Sequence, residues 1–561
     1  MEAQAHESTL VDKELERASP APPSEEPKST PEAVYPSTWR QVIIVLGLLS
    51  GVFLSGLDIS IISNAIPSIT ADFNSLADAG WYGSAFFLAD AAFQSPWAKA
   101  YKFFDIKWVF LATIFLFEIG CLVAALSPSS AALIVGRTIQ GGGAAGILLG
   151  AYSIANYICR PDKVPLVIGL VGTVFSISSV IGPIIGGVFA DDPHLTWRWC
   201  FWINLPIGGI PLIIITLFFR TPPQAKHGIN ISAKEVAASF DILGFTLFIG
   251  SLITFILATT WGGVTYAWSN SKVIGLLIGW ILISIAFVAN EIWQKERALI
   301  VLRVLKNRDM WVNCVWLFFF YGPYFVIVYN LPTYFQATAG LSPRDSGFRT
   351  IPIIASTSVF SLVGAVAVGK YAKYSAFMLF GSAITTIAGG LIYSFDVDTS
   401  ISKQIGYQIL LGLGVGPVIQ IPPIVAGIVN KNADKPLGLG AVLVTQFGVA
   451  SIVLSAASSI TNNLLINSLP RLAPGVDAAE VLGIGPYDLE AHFQGDQLLG
   501  VRKAYVTGLR GAWALAIALW GFSAVMVAFS KWPGHMIPAK EDGTSDEPSE
   551  NKESVTVPEE A

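Results

Sequence analysis

An all-α membrane protein is the fold class that the sequence predicts, and three observations predict it. Hydrophobic residues make up 53% of the 561-residue chain and charged residues only 13%, about half of what a soluble domain carries. Fourteen apolar stretches lie between Gln41 and Ser530, each long enough for the roughly 20-residue helix that crosses a bilayer. Basic residues crowd every second connecting loop, as in a chain threaded back and forth through a membrane. The composition excludes a solvated cytosolic enzyme. A net charge of −5 with no Lys/Arg block excludes a nucleic-acid partner.

Residues 1–39 are rich in Pro, Ser, Glu and Ala and cannot bury enough apolar surface to offset chain entropy, so a disordered tail is expected there. The start lacks the basic patch and short apolar core of a cleavable signal peptide, leaving insertion to the first membrane helix. Helices 1 to 6 are predicted near 41–66, 80–98, 108–126, 131–156, 164–190 and 199–219. Helices 7 and 8 follow near 240–259 and 273–290, and helices 9 to 14 near 311–335, 350–369, 375–394, 404–428, 438–464 and 511–530. A long loop is expected over 465–510, and residues 531–561, acidic and apolar-poor, form a second disordered tail. The closing PEEA is neither a prenylation box nor a retrieval signal.

Loops after even-numbered helices hold seventeen Lys and Arg, whereas short loops after odd-numbered helices hold five, namely Arg198, Lys272, Arg344, Arg349 and Lys403. The positive-inside rule therefore places the even loops and both tails in the cytoplasm and the 465–510 loop outside. The sequon Asn230-Ile231-Ser232 then falls on the cytoplasmic side and should stay unmodified. Cys121, Cys159, Cys200 and Cys314 have no CxxC spacing and read as packing residues, with neither a disulfide framework nor a zinc site.

No GxxxxGK[ST] occurs, so any pumping must draw on an ion gradient. The histidines fall in tails or loops, which argues against a membrane-embedded haem or di-metal enzyme. No cofactor or metal is expected. Ionisable groups inside membrane helices cost about 2.5–3.5 kcal/mol each on insertion scales and are usually functional. Four stand out: Asp58 in helix 1, Asp90 in helix 2, Glu118 in helix 3 and Arg137 in helix 4. Helices 9 to 14 carry no interior charge, which assigns proton coupling to the N-terminal half.

At 100° per residue, Gly47, Gly51, Ser55 and Asp58 share a face of helix 1, Gly83, Asp90 and Gln94 a face of helix 2, and Arg137, Gly141 and Ala144 a face of helix 4. Small neighbours let another backbone approach, so each polar group should face protein or a cavity. Asp58 is the first candidate proton carrier; the alternative is a permanent structural pair with Arg137. For Glu118, in the outer part of its helix, structural pairing is the preferred reading. Asp90 stays open between the two, and Arg137 is expected to hold local carboxylates ionised or to bind backbone carbonyls at a helix break. Helix 5 presents Gly172, Ser176, Ser179, Pro183 and Gly186 on one face, a candidate rocking contact.

In the second half, polar and aromatic residues replace charges: Tyr329, Asn330, Tyr334 and Gln336 in helix 9, Gln420 in helix 12 and Gln446 in helix 13. With Gln94 they are candidate substrate contacts, in an apolar pocket that suits a hydrophobic organic molecule better than a sugar or an inorganic ion. Interfacial belts of Tyr and Trp are the competing explanation.

Six motifs in order resemble the major facilitator superfamily, its fourteen-spanner drug:proton antiporters, and most closely fungal toxin and multidrug efflux pumps. Helix 1 has LDISIISNAIPSI with Asp58 at the acidic position, and helix 4 has IVGRTIQGGGAAG with Arg137, Gln140 and Gly141. Helix 5 has IGPIIGG, resembling the antiporter motif at Gly182, Pro183, Gly186 and Gly187. WRWCFWINLPIGG, with Trp197, Arg198, Trp199, Phe201, Asn204 and Pro206, fits the fourteen-spanner branch, and WGGVTYAW and NLPTYFQATAGLSPRDSG fit the fungal subgroup. The resemblance implies a six-helix bundle over 40–220, two extra helices within 221–310 and a second six-helix bundle over 311–530, rocking about a central site.

Between helices 2 and 3 the family pattern would put glycine at Ala98, aspartate at Lys102 and glycine at Asp105, so the charge lock attributed to that aspartate does not carry over. Asp90 stands where relatives are expected to have a small polar residue. The function expected is proton-coupled export of a hydrophobic small molecule, a fungal secondary metabolite, toxin or drug, by a monomer in the plasma membrane, with the vacuolar membrane as the other location. The alternative is an uptake or vacuolar permease for a siderophore or a basic amino acid.

Overall fold

The computed structural model describes residues 34–62, 65–73, 79–191, 195–225, 233–371 and 373–531. Most of both predicted tails and the sequon at Asn230 lie outside these residues. Among the described residues the protein is helical, without named strands. Each of the fourteen predicted stretches is a helix: α1 (Thr38–Ile61), α2 (Ala79–Phe103), α3 (Ile106–Ala125), α4 (Ser130–Ile158) and α5 (Val164–Asp191), then α6 (Trp199–Phe218). The linker helices are α7 (Ile242–Trp261) and α8 (Ser271–Gln294). The second half holds α9 (Arg308–Ala339), α10 (Pro343–Tyr371), α11 (Tyr374–Tyr393), α12 (Ile401–Val429), α13 (Lys435–Leu472) and α14 (Gly495–Met526).

Side chains that compete with the backbone set the starts. Asp105, Ser129, Asp241, Asn270 and Asn307 each accept a backbone N–H in the first turn of α3, α4, α7, α8 and α9. α12 breaks at Gln420, between Pro417 and the pair Pro422 and Pro423, because proline withholds the N–H and crowds the preceding turn.

Thirteen of these helices are long and apolar enough to cross a membrane, and α2 is the exception. Its composition is diluted by Asp90, Gln94 and Lys99, which are all buried in the protein. At about 1.5 Å per residue its 25 residues still run roughly 37 Å.

Two differences from expectation stand at the far end of α13. The predicted 465–510 loop is mostly helix, since α13 runs to Leu472 and α14 starts at Gly495. At about 1.5 Å per residue the 38 residues of α13 reach roughly 57 Å, well past the hydrocarbon. The projecting ends pack with two short helices, Ala478–Ile484 and Leu489–His492, around Leu465, Leu469, Val481, Leu489 and Val501. Arg471, Arg502, Lys503 and Arg510 broke the apolar run and hid this extension from a hydropathy reading.

Helices α1 to α6 form one bundle and α9 to α14 another; they meet along α2 with α13 and along α5 with α10. α7 packs on α8, on α13 and on α2. The end of the bundle that carries Thr38 and Phe529 is called the terminal end below.

Candidate functional site

α1 and α4 run antiparallel, and the arginine of the helix-4 motif meets the aspartate of the helix-1 motif away from the terminal end. Arg137 Nη1 pairs with Asp58 Oδ2, and both side chains are fully buried. Asp58 Oδ1 also accepts from Asn204 Nδ2 at 2.9 Å and from Gln140 Nε2 at 3.1 Å. Arg137 donates further to the Tyr82 carbonyl and to Gln140 Oε1, each at 2.9 Å, and its guanidinium lies 4.6 Å from the Phe86 ring centre. A buried ion pair persists only when hydrogen bonds satisfy the remaining lone pairs and protons, and α1, α2, α4 and α6 all contribute here. The sequence motifs contain Asn204 and Gln140 but give neither of them a role in the site. Asn204 sits in the first turn after the bend in α6, and no spacing within helix 6 could show that it reaches across to helix 1.

Asp90 has one hydrogen bond among the described residues, from Gln94 Nε2 at 2.8 Å one turn along α2. Gln94 is thereby a partner of Asp90 and is not on the lining of the cavities below. The pairing expected for Glu118 is not found. Both carboxyl oxygens are buried without a hydrogen-bond partner, packed against Gly208 of α6, where a Cβ would lie within 1.7 Å of Oε1. α3 approached this closely because residue 208 has no side chain.

Between the two bundles lies a cavity of about 310 Å³. Phe87 and Phe175 wall it from the first bundle and Phe325, Tyr329 and Phe447 from the second, and Arg344 is the one charged residue on its lining. Ile59 and Ser60, the residues after Asp58, also line it, as does Pro183. Toward the terminal end a smaller cavity of about 60 Å³ has Gln420 and Gln446 on its lining, where the Tyr152 hydroxyl donates to Gln420 Oε1 at 3.0 Å. Tyr329, Gln336, Gln420 and Gln446 therefore line these cavities.

Tyr334 does not. It is buried inside the second bundle, stacked on Phe395 with centroids 5.3 Å apart, and its hydroxyl donates to the Asp396 carbonyl at 2.6 Å. It lies five residues beyond Tyr329, and at 100° per residue that offset turns it to another face of α9. Asn330 is likewise absent from the cavity linings, and its Nδ2 is buried without a partner.

The glycine motifs serve contacts within the first bundle. Gly141 brings α4 onto the Phe86 carbonyl of α2, and Gly182 and Gly186 bring α5 onto the backbone of α1 at Leu57 and Ile61. Gly187 of the same motif is half-buried. The face predicted for helix 5 is thus divided: Gly172 meets Gln420 of the other bundle, while Gly186 faces its own.

At the terminal end the bundles are tied by charge. Lys102 donates to Asp434 Oδ1 at 2.9 Å, Arg303 bonds both oxygens of Asp434 at 2.8 and 3.1 Å, and Tyr157 donates to the Asn432 carbonyl at 2.6 Å. The position that the family pattern gives to an aspartate carries a lysine, and the acid comes from the opposite bundle. Asp105 instead caps α3 and accepts from Thr221 at 2.7 Å.

The family profile described as Major Facilitator Superfamily matches residues 48–461. The chain is 38% identical over 516 residues to the MFS-type transporter grgE of a Penicillium species, covering 91% of each chain. It is 37% identical over 520 residues to a dehydrocurvularin exporter of Alternaria cinerariae, covering 92% of this chain and 89% of that one. Among solved structures, the human organic anion transporter MFSD10 superposes with a TM-score of 0.54 at 14% identity, over 86% of this chain and 99% of the other.

Proposed function

The chain belongs to the Major Facilitator Superfamily, and from that premise we propose that it is a proton-coupled exporter of uncharged hydrophobic small molecules, a fungal secondary metabolite or toxin among them. It works as a monomer in the plasma membrane with both termini in the cytoplasm. The observation that carries the reading is the aromatic cavity between the bundles, whose lining holds no carboxylate. A basic amino acid would need one. A rigid aromatic wall with few polar groups favours an apolar organic guest. Relatives named as exporters of such compounds support the same direction.

Asp58 is the proposed proton carrier and Arg137 the group that holds it ionised between turnovers. A proton arriving from outside cancels the charge that Arg137, Gln140 and Asn204 are arranged around, which weakens the tie between α1, α4 and α6. The next two residues of α1 line the cavity, so the same helical turn carries the change to the substrate. Release of the proton inward resets the pair. Asp90 and Glu118, each buried with one hydrogen bond or none, are proposed as secondary proton sites. One charge crossing 100 mV supplies about 2.3 kcal/mol, a substrate gradient of nearly fifty-fold per proton.

The test uses purified protein in sealed vesicles with a neutral fluorescent substrate. Asp58→Asn should abolish accumulation driven by the proton gradient and leave substrate exchange intact. Transport that proceeds unchanged after the pH and voltage differences are collapsed would show a passive facilitator.

A further inference from the structure

We propose that the protein has a second ligand subsite, beside the central cavity and walled in part by linker helix α7, which takes the uncharged oxygen-bearing end of an elongated hydrophobic molecule. The proposal rests on the exporter reading and deepens it by naming the chemistry of the guest.

A second cavity of about 310 Å³ lies between α2, α7, α9 and α13. It shares Phe87, Phe325, Tyr329 and Phe447 with the central cavity, so those four rings stand between the two. Beyond them the lining changes character. Hydroxyls arrive from three helices, Ser84 from α2, Thr260 from α7, and Ser451, Ser455 and Ser458 from α13, and no lining residue is charged. The spacing of four and then three puts the α13 serines on one face.

A hydroxyl on a membrane helix ordinarily bonds its own backbone. Ser451 does so, donating to the Phe447 carbonyl at 2.9 Å, and Ser455 is matched with Thr259 of α7 at 2.6 Å. The hydroxyls of Ser84, Thr260 and Ser458 make no hydrogen bond to any described residue; Ser84 is half-buried, and Thr260 and Ser458 are exposed at the open side of the chamber. Three uncommitted hydroxyls around an apolar chamber offer a guest the bonds it gives up on leaving water. A charged guest would find nothing to compensate it.

The wall is fixed rather than incidental. Besides the Thr259–Ser455 bond, Asn463 of α13 donates to the Gly262 carbonyl at 3.0 Å and accepts from Trp268 Nε1 at 3.1 Å. Gly263 takes φ of +74°, and a Cβ there would lie 1.7 Å from Asn463 Oδ1, so the turn requires glycine. The WGGVTYAW segment thus fastens α7 to α13, and the helix that looks like a spacer contributes Ile256 and Thr260 to the chamber.

The experiment compares pyrene with 1-pyrenemethanol, the same ring system with and without one hydroxyl, on the purified full chain by tryptophan-to-pyrene energy transfer. The native protein should bind the alcohol roughly three- to ten-fold more tightly, the worth of one or two neutral hydrogen bonds. Ser84→Ala combined with Thr260→Val and Ser458→Ala should bring the alcohol down to the affinity of pyrene. Unchanged pyrene binding shows that this variant is folded. Ala450→Trp, which fills the chamber, should erase the preference as well, whereas Ile285→Trp on the exposed face of α8 should keep it. Equal binding of the two probes by the native chain, or a preference that survives the triple substitution, overturns the subsite while leaving the exporter standing. Failure to bind either probe overturns both.

Discussion

The two bundles bury different chemistry. In the first, Asp58, Asp90, Glu118 and Arg137 are all buried inside helices. In the second, the polar interior is built from amides, hydroxyls and indoles, such as Trp316 donating to Ser382 at 3.0 Å and Trp520 to the Phe320 carbonyl at 3.1 Å. Its buried acids Asp309 and Asp434 sit at the terminal end, Asp309 held by Lys531 at 2.9 Å and Tyr374 at 2.6 Å. A buried charge is expensive and a neutral hydrogen bond is not, so the asymmetry marks where the charge is used. On the proposed mechanism it also separates proton from cargo: a neutral guest between the aromatic walls would not compete for the carboxylate proposed to carry the proton.

The largest effect should come from breaking the charged side of this comparison. Arg137→Gln leaves Asp58 buried without its cation, and loss of one partner of such a pair costs about 3–5 kcal/mol. Thermal unfolding followed by tryptophan fluorescence should show the loss. It should shrink in acid, where an uncompensated carboxylate takes up a proton. A variant as stable as the native protein at neutral pH would mean that Asp58 does not depend on Arg137.

A smaller effect should come from the neutral side. The Tyr329 ring sits 6.4 Å from Phe87 and 6.2 Å from Phe325, on the lining that the two cavities share. Tyr329→Ala removes an aromatic contact worth about 0.5–1.5 kcal/mol beyond its buried area. Substrate affinity should fall roughly tenfold while the number of protons moved per substrate stays constant. A change in that number would erase the division between the bundles.

The helices and the identity of the charged residues were legible in the sequence because both are local. Apolar runs mark spans, and an aspartate among the thirteen Leu, Ile, Val and Phe residues of α1 is conspicuous wherever it points. Periodicity put Asp58 and Arg137 on small-residue faces, and the structure pairs the two side chains. Two things were not legible. Asn204 joins Asp58 across 146 positions of sequence, and Glu118 has only a glycine opposite it. Both depend on how helices dock, which composition does not encode, whereas the turn of Tyr334 away from Tyr329 follows from the helical period and was readable. The ends of α13 and α14 were missed for another reason: outside the bilayer a helix can carry arginines, and hydropathy then reads it as loop.

The smallest effect concerns the terminal end, where the two bundles trade charge with each other. Asp434 accepts from Lys102 of the first bundle and from Arg303 of the linker. Arg303 is half exposed, so its pair with Asp434 is worth about 0.2–1 kcal/mol, and the Lys102 pair is more enclosed and less screened. Asp434→Asn keeps the side-chain shape and removes the charge. The bundles should then part more often at this end, by about two- to five-fold, which is what up to 1 kcal/mol changes. Ala98 is buried behind the clamp, next to Gly440 of α13, and a cysteine there reports the opening. Ala98→Cys should react faster with a membrane-impermeant maleimide in the Asp434→Asn background. Raised salt should speed the reaction in the parent and do little in the variant, because screening and neutralisation remove the same attraction. Equal rates in both backgrounds would leave the hydrogen bond from Tyr157 to Asn432 and the packing of α2 on α13 as what closes this end, and would restrict functional charge to the Asp58 cluster.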